Sequence, residues 1–233
     1  QNILEGIRSL KNRSGRTLLG DALPFAEKLL QSLRELPEVH KAEAGGSLRR
    51  RSDTVGDLDI LAASETTGPA MAFFVQHPDV NEVISHGEIK SSVVFQNGLR
   101  AQLWVHPPER FGTALQYATG AKDHNVRLRE LALQQGYSLS EHALLRQEDE
   151  VELLFDDERD LYKALGLPWI PPELREDRGE IQAALEDSLP DLIETEDVLT
   201  ELHSHSTWSD GKHTIREMVQ AAVEQGYKVL AIT

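Results

Sequence analysis

The chain has no cysteine. That excludes disulfides and thiolate metal sites, so any metal must sit on carboxylates, imidazoles and water. No apolar run approaches the ~20 residues needed to cross a bilayer, and the start shows no signal-peptide pattern. Internal repeats are absent. An excess of basic residues is absent too, since 24 Lys+Arg stand against 39 Asp+Glu for a net charge of −15. Nucleic-acid-binding proteins usually show a basic footprint, and the whole-chain balance argues against one. The composition fits a soluble cytoplasmic monomer of one large or two small domains, with an ordinary 39% of hydrophobic residues. The chain opens on Gln1 and closes on the apolar run Val229-Leu230-Ala231-Ile232-Thr233. Both ends are expected to be truncations.

The charge is unevenly spread. Residues 1–140 hold 16 Lys+Arg and 16 Asp+Glu, while 141–233 hold 8 against 23 and carry the whole net charge. Net charge reports the long-range field rather than the site. The neutral half contains a local basic cluster, Arg49-Arg50-Arg51.

Leu18, Leu19, Ala22, Leu23, Ala26, Leu29, Leu30 and Leu33 recur at helical spacing around Pro24. Strands are expected at 39–44, 58–61 and 80–85, with a helix near 70–76 between the last two. Ser92–Gln96 and Leu99–Val105 read as a hairpin closed by a two-residue Asn97-Gly98 turn. Helices near 109–118 and 123–135 come next, then a small hairpin (143–145 with 151–153) and a helix at 156–165. Pro168-Trp169-Ile170-Pro171-Pro172 breaks the pattern, and the acidic stretch 173–197 reads as helix plus linker. From Val198 the order strand, His-rich loop, helix (214–225), strand marks the start of a second, α/β domain.

The most informative stretch is Gly45-Gly46-Ser47-Leu48-Arg49-Arg50 followed by Gly56-Asp57-Leu58-Asp59. Alternation along a strand places Asp57 and Asp59 on one face. Two carboxylates so close repel unless a divalent cation neutralises them. Two such metals ~3.5–4 Å apart can clamp the attacking and leaving oxygens of a phosphoryl displacement. The Gly-Gly-Ser turn can bring backbone N–H groups and a hydroxyl to a polyphosphate, with Arg49 and Arg50 adding charge and bidentate geometry. Either half alone reads as a charged surface turn.

In this order and spacing, the two halves resemble the nucleotidyltransferase signature. Tyr117-Ala118-Thr119-Gly120, then His124-Asn125-Val126-Arg127-Leu128-Arg129, narrows the resemblance to the palm-to-thumb segment of bacterial family X DNA polymerases, over roughly residues 3–170. The fold implied is α+β. Residues 1–38 would end the fingers, 39–116 form a nucleotidyltransferase palm with a mixed sheet and helices, 117–170 a small thumb, and 171–197 an acidic linker. By the resemblance, Gly46, Ser47 and Arg50 hold the incoming triphosphate, and Asp57 and Asp59 bind Mg²⁺ or Mn²⁺ and are catalytic. Tyr117 and Gly120 line the sugar pocket, Asn125 faces the minor-groove edge of the base, and Arg129 contacts the template side. The partners implied are gapped or primer-template DNA and a dNTP. Two departures stand out. The family pattern needs a third Asp in an Arg-x-Asp-Leu run, where this chain has Arg100-Ala101-Gln102-Leu103, and Ala118 stands where an aromatic is usual.

Glu201-Leu202-His203-Ser204-His205 leads into Ser206-Thr207-Trp208-Ser209-Asp210-Gly211. Alternation places His203 and His205 on one side of a strand end, and paired imidazoles suit Zn²⁺ or Mn²⁺. The motif resembles the opening of a polymerase-and-histidinol-phosphatase (PHP) domain, a TIM-like barrel that carries metals for phosphoester hydrolysis. Residues 198–233 would then be its first βαβ. Glu201 replaces the more usual Asp, and Asp210 is a weaker ligand candidate. Three functions remain open: a repair DNA polymerase weakened by Gln102, an impaired DNA- or nucleotide-binding module attached to a PHP 3′–5′ exonuclease, and a PHP phosphoesterase. Two histidines cannot hold a multi-metal site, so exonuclease activity is expected only of a longer protein. The acidic C-terminal part is expected to weaken DNA binding.

Overall fold

The computed structural model describes residues 15–233. The first fourteen residues of the segment expected to end the fingers lie outside it. The chain divides after Leu189 into two compact units.

In the first unit a short strand β1 (Thr17–Leu18) leads into helix α1 (Leu19–Arg34). Pro24 lies inside α1, at its sixth residue and past the first turn, so its missing N–H leaves the Gly20 carbonyl without the usual i→i−4 donor. Strand β2 (Lys41–Ala44), a single helical turn α2 (Gly46–Arg49), β3 (Thr54–Val55) and β4 (Leu58–Ala63) follow. Helix α3 (Thr67–Val75) then precedes β5 (Val80–His86), β6 (Lys90–Phe95) and β7 (Arg100–His106). The five long strands make one mixed sheet in the order β2-β4-β7-β6-β5, parallel only between β4 and β7.

Alternation in this sheet sorts core from site. Leu58, Ile60 and Ala62 of β4, Ala101, Leu103 and Val105 of β7, and Val93 and Phe95 of β6 face α1 and α3. That core takes in Ala22, Ala26, Leu29, Leu30 and Leu33 of α1, so the leucine periodicity marks a buried face. On the opposite face Leu61 and Ala63 pack on helix α4 (Phe111–Thr119) through Phe111, Ala114 and Leu115. The polar positions of that second face, Asp59, Gln102 and Lys90, are left beside the end of α4.

Helix α5 (Lys122–Gln134), strands β8 (Tyr137–Leu139), β9 (Leu144–Arg146) and β10 (Glu152–Leu153), and helices α6 (Glu158–Ala164) and α7 (Glu180–Leu185) build a second core. It is formed by Leu128, Ala132, Leu139, Leu144, Leu161, Tyr162, Leu165 and Ile170. This layer docks tightly on α4. Gly112 donates its N–H to Phe155 O at 2.8 Å, and a Cβ there would run into the Asp157 backbone.

Three local expectations are corrected. The β6–β7 loop holds three residues, because Phe95 N pairs with Leu99 O and Gly98 takes a left-handed conformation (φ 85°) that closes the turn. The small hairpin is a three-stranded sheet, β10-β9-β8, whose extra strand β8 was too short to show a period. The Gly-Gly-Ser turn runs into the helical turn α2, too brief for a helical repeat to be visible.

In the second unit, β11 (Thr200–Ser204) and β12 (Val229–Ile232) pair in parallel around helix α8 (Ile215–Glu224). A reciprocal capping box between Thr214 and Glu217 starts α8. Among the described residues, no helix is long and apolar enough to cross a membrane.

Candidate functional site

Asp57 lies in the bend before β4 and Asp59 within the strand. The parallel register puts Asp59 directly opposite Gln102 of β7. The Gln102 Nε2 donates to Asp57 Oδ2 at 3.0 Å. The position expected to supply a third carboxylate therefore meets the acidic pair with an amide N–H.

The glycine turn is held against the same strand, with Gly45 N donating to Asp59 O at 2.7 Å. That N–H is consequently spent within the fold rather than offered to a ligand. Gly46 adopts a left-handed conformation (φ 56°), and a Cβ there would collide with Asp59 Oδ2. Only glycine lets the turn lie this close to the carboxylate.

Arg49 and Arg50 diverge. Arg49 Nη1 donates to Thr119 Oγ1 and to Glu158 Oε1, both at 2.6 Å, and belongs to a buried cluster. Glu158 is also held by the fully buried Arg175, whose Nη2 reaches both of its oxygens at 3.0 Å. Burial alone would raise the Glu158 carboxyl, but Arg175 and Arg49 outweigh it and hold it below the usual range. Arg49 is thus a structural cation, not the phosphate ligand its sequence position suggested. Arg50 instead lines the cavity, with Nη1 on Thr119 O at 2.6 Å and Nε on Glu176 Oε1 at 2.7 Å.

A cavity of about 370 Å³ is lined by all nine residues proposed for the first site: Gly46, Ser47, Arg50, Asp57, Asp59, Tyr117, Gly120, Asn125 and Arg129. Trp104, Ala118, Thr119, Ala121 and Lys122 complete it. Its size suits a small-molecule ligand. Asn125 is nearly buried; its Nδ2 donates to Tyr117 O at 2.7 Å and its Oδ1 accepts from Gln116 at 2.8 Å. These bonds pin α5 to the end of α4. Arg129 lies one turn further along α5 and is exposed.

Burial, and then the charge of Asp57, raise the Asp59 carboxyl to about 6, although Lys90 and Arg50 pull the other way. A carboxylate reluctant to ionise beside another carboxylate suits a divalent cation, which removes both penalties. The donor set fits one such ion better than two, since Gln102 contributes no charge. Lys90 and Trp104 escaped sequence reasoning. Their strands pair Lys90 with Trp104, and the ammonium sits 4.2 Å from the indole centroid. Lone residues on separate strands give no local signal. Glu176 was missed for the same reason.

The second unit brings His203 and His205 together, their Nε2 atoms 3.1 Å apart. Asp210 bonds to the far nitrogen of His205, Nδ1, and that contact holds the Asp210 carboxyl below its usual range. Gly211 allows this loop, because a Cβ there would strike the His205 carbonyl. Asp210 is therefore placed to orient the His205 imidazole from the side away from His203. Glu201 Oε1 accepts from His203 N at 2.9 Å. Among the described residues, no three or more His, Asp or Glu form a group that could hold a metal.

Residues 114–176 match the DNA polymerase beta thumb family. The chain is 35% identical over its whole length to the DNA polymerase/3'-5' exonuclease PolX of Bacillus subtilis, covering 41% of that protein. It is 31% identical over 74% of its length to DNA polymerase lambda of Rattus norvegicus, covering 38% of that one. The chain thus spans about two fifths of the length of these relatives. Residues 114–176 carry a beta-type thumb, and over the two fifths of these relatives that it spans the chain is similar to the family X DNA polymerases.

Proposed function

We propose that the first unit is the nucleotidyl-transfer core of a DNA polymerase that fills gaps in repair, taking gapped or primer-template DNA and a dNTP. The observation that carries this is the single cavity lined by both carboxylates, the Gly46-Ser47 turn, Arg50 and the α4–α5 junction. Residues 39–116 are read as palm and 117–170 as thumb. Ser47 and Arg50 bind the triphosphate, Tyr117 and Gly120 border the sugar, Asn125 the base edge and Arg129 the template. Asp57 and Asp59 would hold Mg²⁺ or Mn²⁺, which when bound supplies positive charge to the reacting phosphates.

Gln102 sets the limit on chemistry. It supplies neither a third negative charge nor a proton acceptor for the primer 3′-hydroxyl, and its N–H already engages Asp57. This contact favours a second reading, a nucleotide- and DNA-binding module in which binding outlasts chemistry. In either case residues 198–233 are read as the first βαβ of a PHP phosphoesterase domain, with His203 and His205 as candidate Zn²⁺ or Mn²⁺ ligands.

Titration of the chain with Mg²⁺ and a nucleoside triphosphate should show saturable binding that Asp57→Ala abolishes. Equal binding by that variant would sink the reading. Single-nucleotide insertion on gapped DNA then separates polymerase from binding module.

A further inference from the structure

We propose that Glu176 governs the triphosphate subsite as a positioning residue that aims Arg50 and, at the same time, restrains its charge. This rests on the reading that Arg50 binds the triphosphate. The Arg50 guanidinium is gripped from two sides, by Glu176 Oε1 on Nε at 2.7 Å and by Thr119 O on Nη1 at 2.6 Å. Among the described residues Nη2 has no protein partner, and Arg50 borders the cavity beside Ser47.

The grip is built from the end of the thumb. Glu176 follows Arg175, which is fully buried, donates Nε to Ile170 O at 2.8 Å and is locked to Glu158. Arg175 O in turn accepts from Ala121 N at 2.8 Å, next to Gly120 in the cavity wall. Glu176 therefore sits on a rigid backbone, while its own side chain is about one third exposed (35%) against 14% for Arg50.

Two consequences follow, and they oppose each other. Fixing the guanidinium lowers the entropy lost when a phosphate binds. The Glu176 carboxylate also places a negative charge beside an anionic ligand and neutralises its main cation, which weakens binding. Exchanging glutamate for glutamine separates the two, because the amide oxygen can still accept from Nε while the charge is gone.

The test is calorimetric titration of the 233-residue chain with inorganic tripolyphosphate, and separately with a magnesium dNTP. Wild type is compared with Glu176→Gln, Glu176→Ala and Arg50→Ala. Glu176→Gln is expected to bind both ligands about threefold to fivefold tighter, the size expected of a partly exposed charge contact. Glu176→Ala, which frees the guanidinium, should bind less tightly than Glu176→Gln. A purely structural role cannot produce tighter binding in an isosteric variant. The position is part-exposed and glutamine keeps its shape and acceptor, so the fold should persist, with melting as the check. Unchanged or weaker binding by Glu176→Gln, with Arg50→Ala losing binding, overturns the restraint and leaves the triphosphate reading standing. Alanine binding more tightly than glutamine overturns the positioning role. No loss in Arg50→Ala would remove the triphosphate reading itself.

Discussion

The two candidate sites are built in opposite ways. The sheet site draws on β4, β7, α2, α4 and α5, and its partly buried Asp59 is pushed up to about 6. The histidine site comes from one strand end and the loop after it, with Asp210 fully exposed on the far side of His205. Burial concentrates electrostatic effects in the first and dilutes them by solvent in the second. Substitutions of the buried charges in the sheet site should therefore change stability, whereas those in the loop should change binding alone.

The largest expected effect tests whether Gln102 restrains the sheet site. Gln102→Asp should raise single-nucleotide insertion on gapped DNA by ~10²–10⁴-fold, the usual contribution of a positioned general base. Triphosphate affinity should change little, because Asp57 and Asp59 already face the cavity. Strong wild-type insertion that the substitution leaves unaltered would show that another residue serves in place of Gln102.

Next in size is the cost of the acidic pair to folding. Asp59 has a folded pKa of about 6 against an ordinary value of 3.8. Below pH ~4 both folded and unfolded forms carry the proton, and no penalty exists. As pH rises from about 4 to 6 the unfolded chain releases it first, so stability falls, and above 6 the loss is complete. Without divalent metal, Asp59→Asn should stabilise the fold by about 2–3 kcal/mol at pH 7.5 and by almost nothing near pH 3.5. Denaturant melts at the two pH values measure this. An equal gain at both would assign the effect to something other than ionisation.

The histidine loop offers a smaller contrast. Asp210→Asn should weaken Zn²⁺ binding by about tenfold, by loosening the His205 ring, without shifting the melting of the first unit. A concurrent loss of stability in the first unit would break the comparison.

The smallest effect concerns charge. The acidic segment that can be removed begins after Leu189, because Arg175, Glu176 and Glu180, within the stretch 173–197 that reads as helix plus linker, are integral to the first unit. Glu180 in particular bonds His124 Nδ1 at 2.6 Å, while Tyr162 OH meets the other ring nitrogen at 2.9 Å. Residues 190–233 hold three Lys+Arg against eight Asp+Glu. Deleting them should tighten DNA binding by about twofold to fivefold at low salt, the gain shrinking as salt screens it. Unchanged affinity would mean that this segment's charge does not reach the DNA path.

Much of this was legible in the chain itself. Alternation placed Asp57 and Asp59 together, helical spacing marked the buried face of α1, and the spacing of His203 and His205 put their rings side by side, because each depends on residues close in sequence. The departure at Gln102 could be read only through the family resemblance, which sets a third Asp in the Arg100-Ala101-Gln102-Leu103 run. Contacts between distant segments could not be read. Arg49 and Arg50 are neighbours in sequence, yet one is buried against Glu158 and the other borders the cavity under the hand of Glu176. Lys90 reaches the site only because β6 pairs with β7, and Asn125 spends its amide on Tyr117 O. Local periodicity determines which face of an element is apolar. Only packing decides which charges share a low-dielectric space, and that choice sets the pKa of Asp59 and the direction of Arg50.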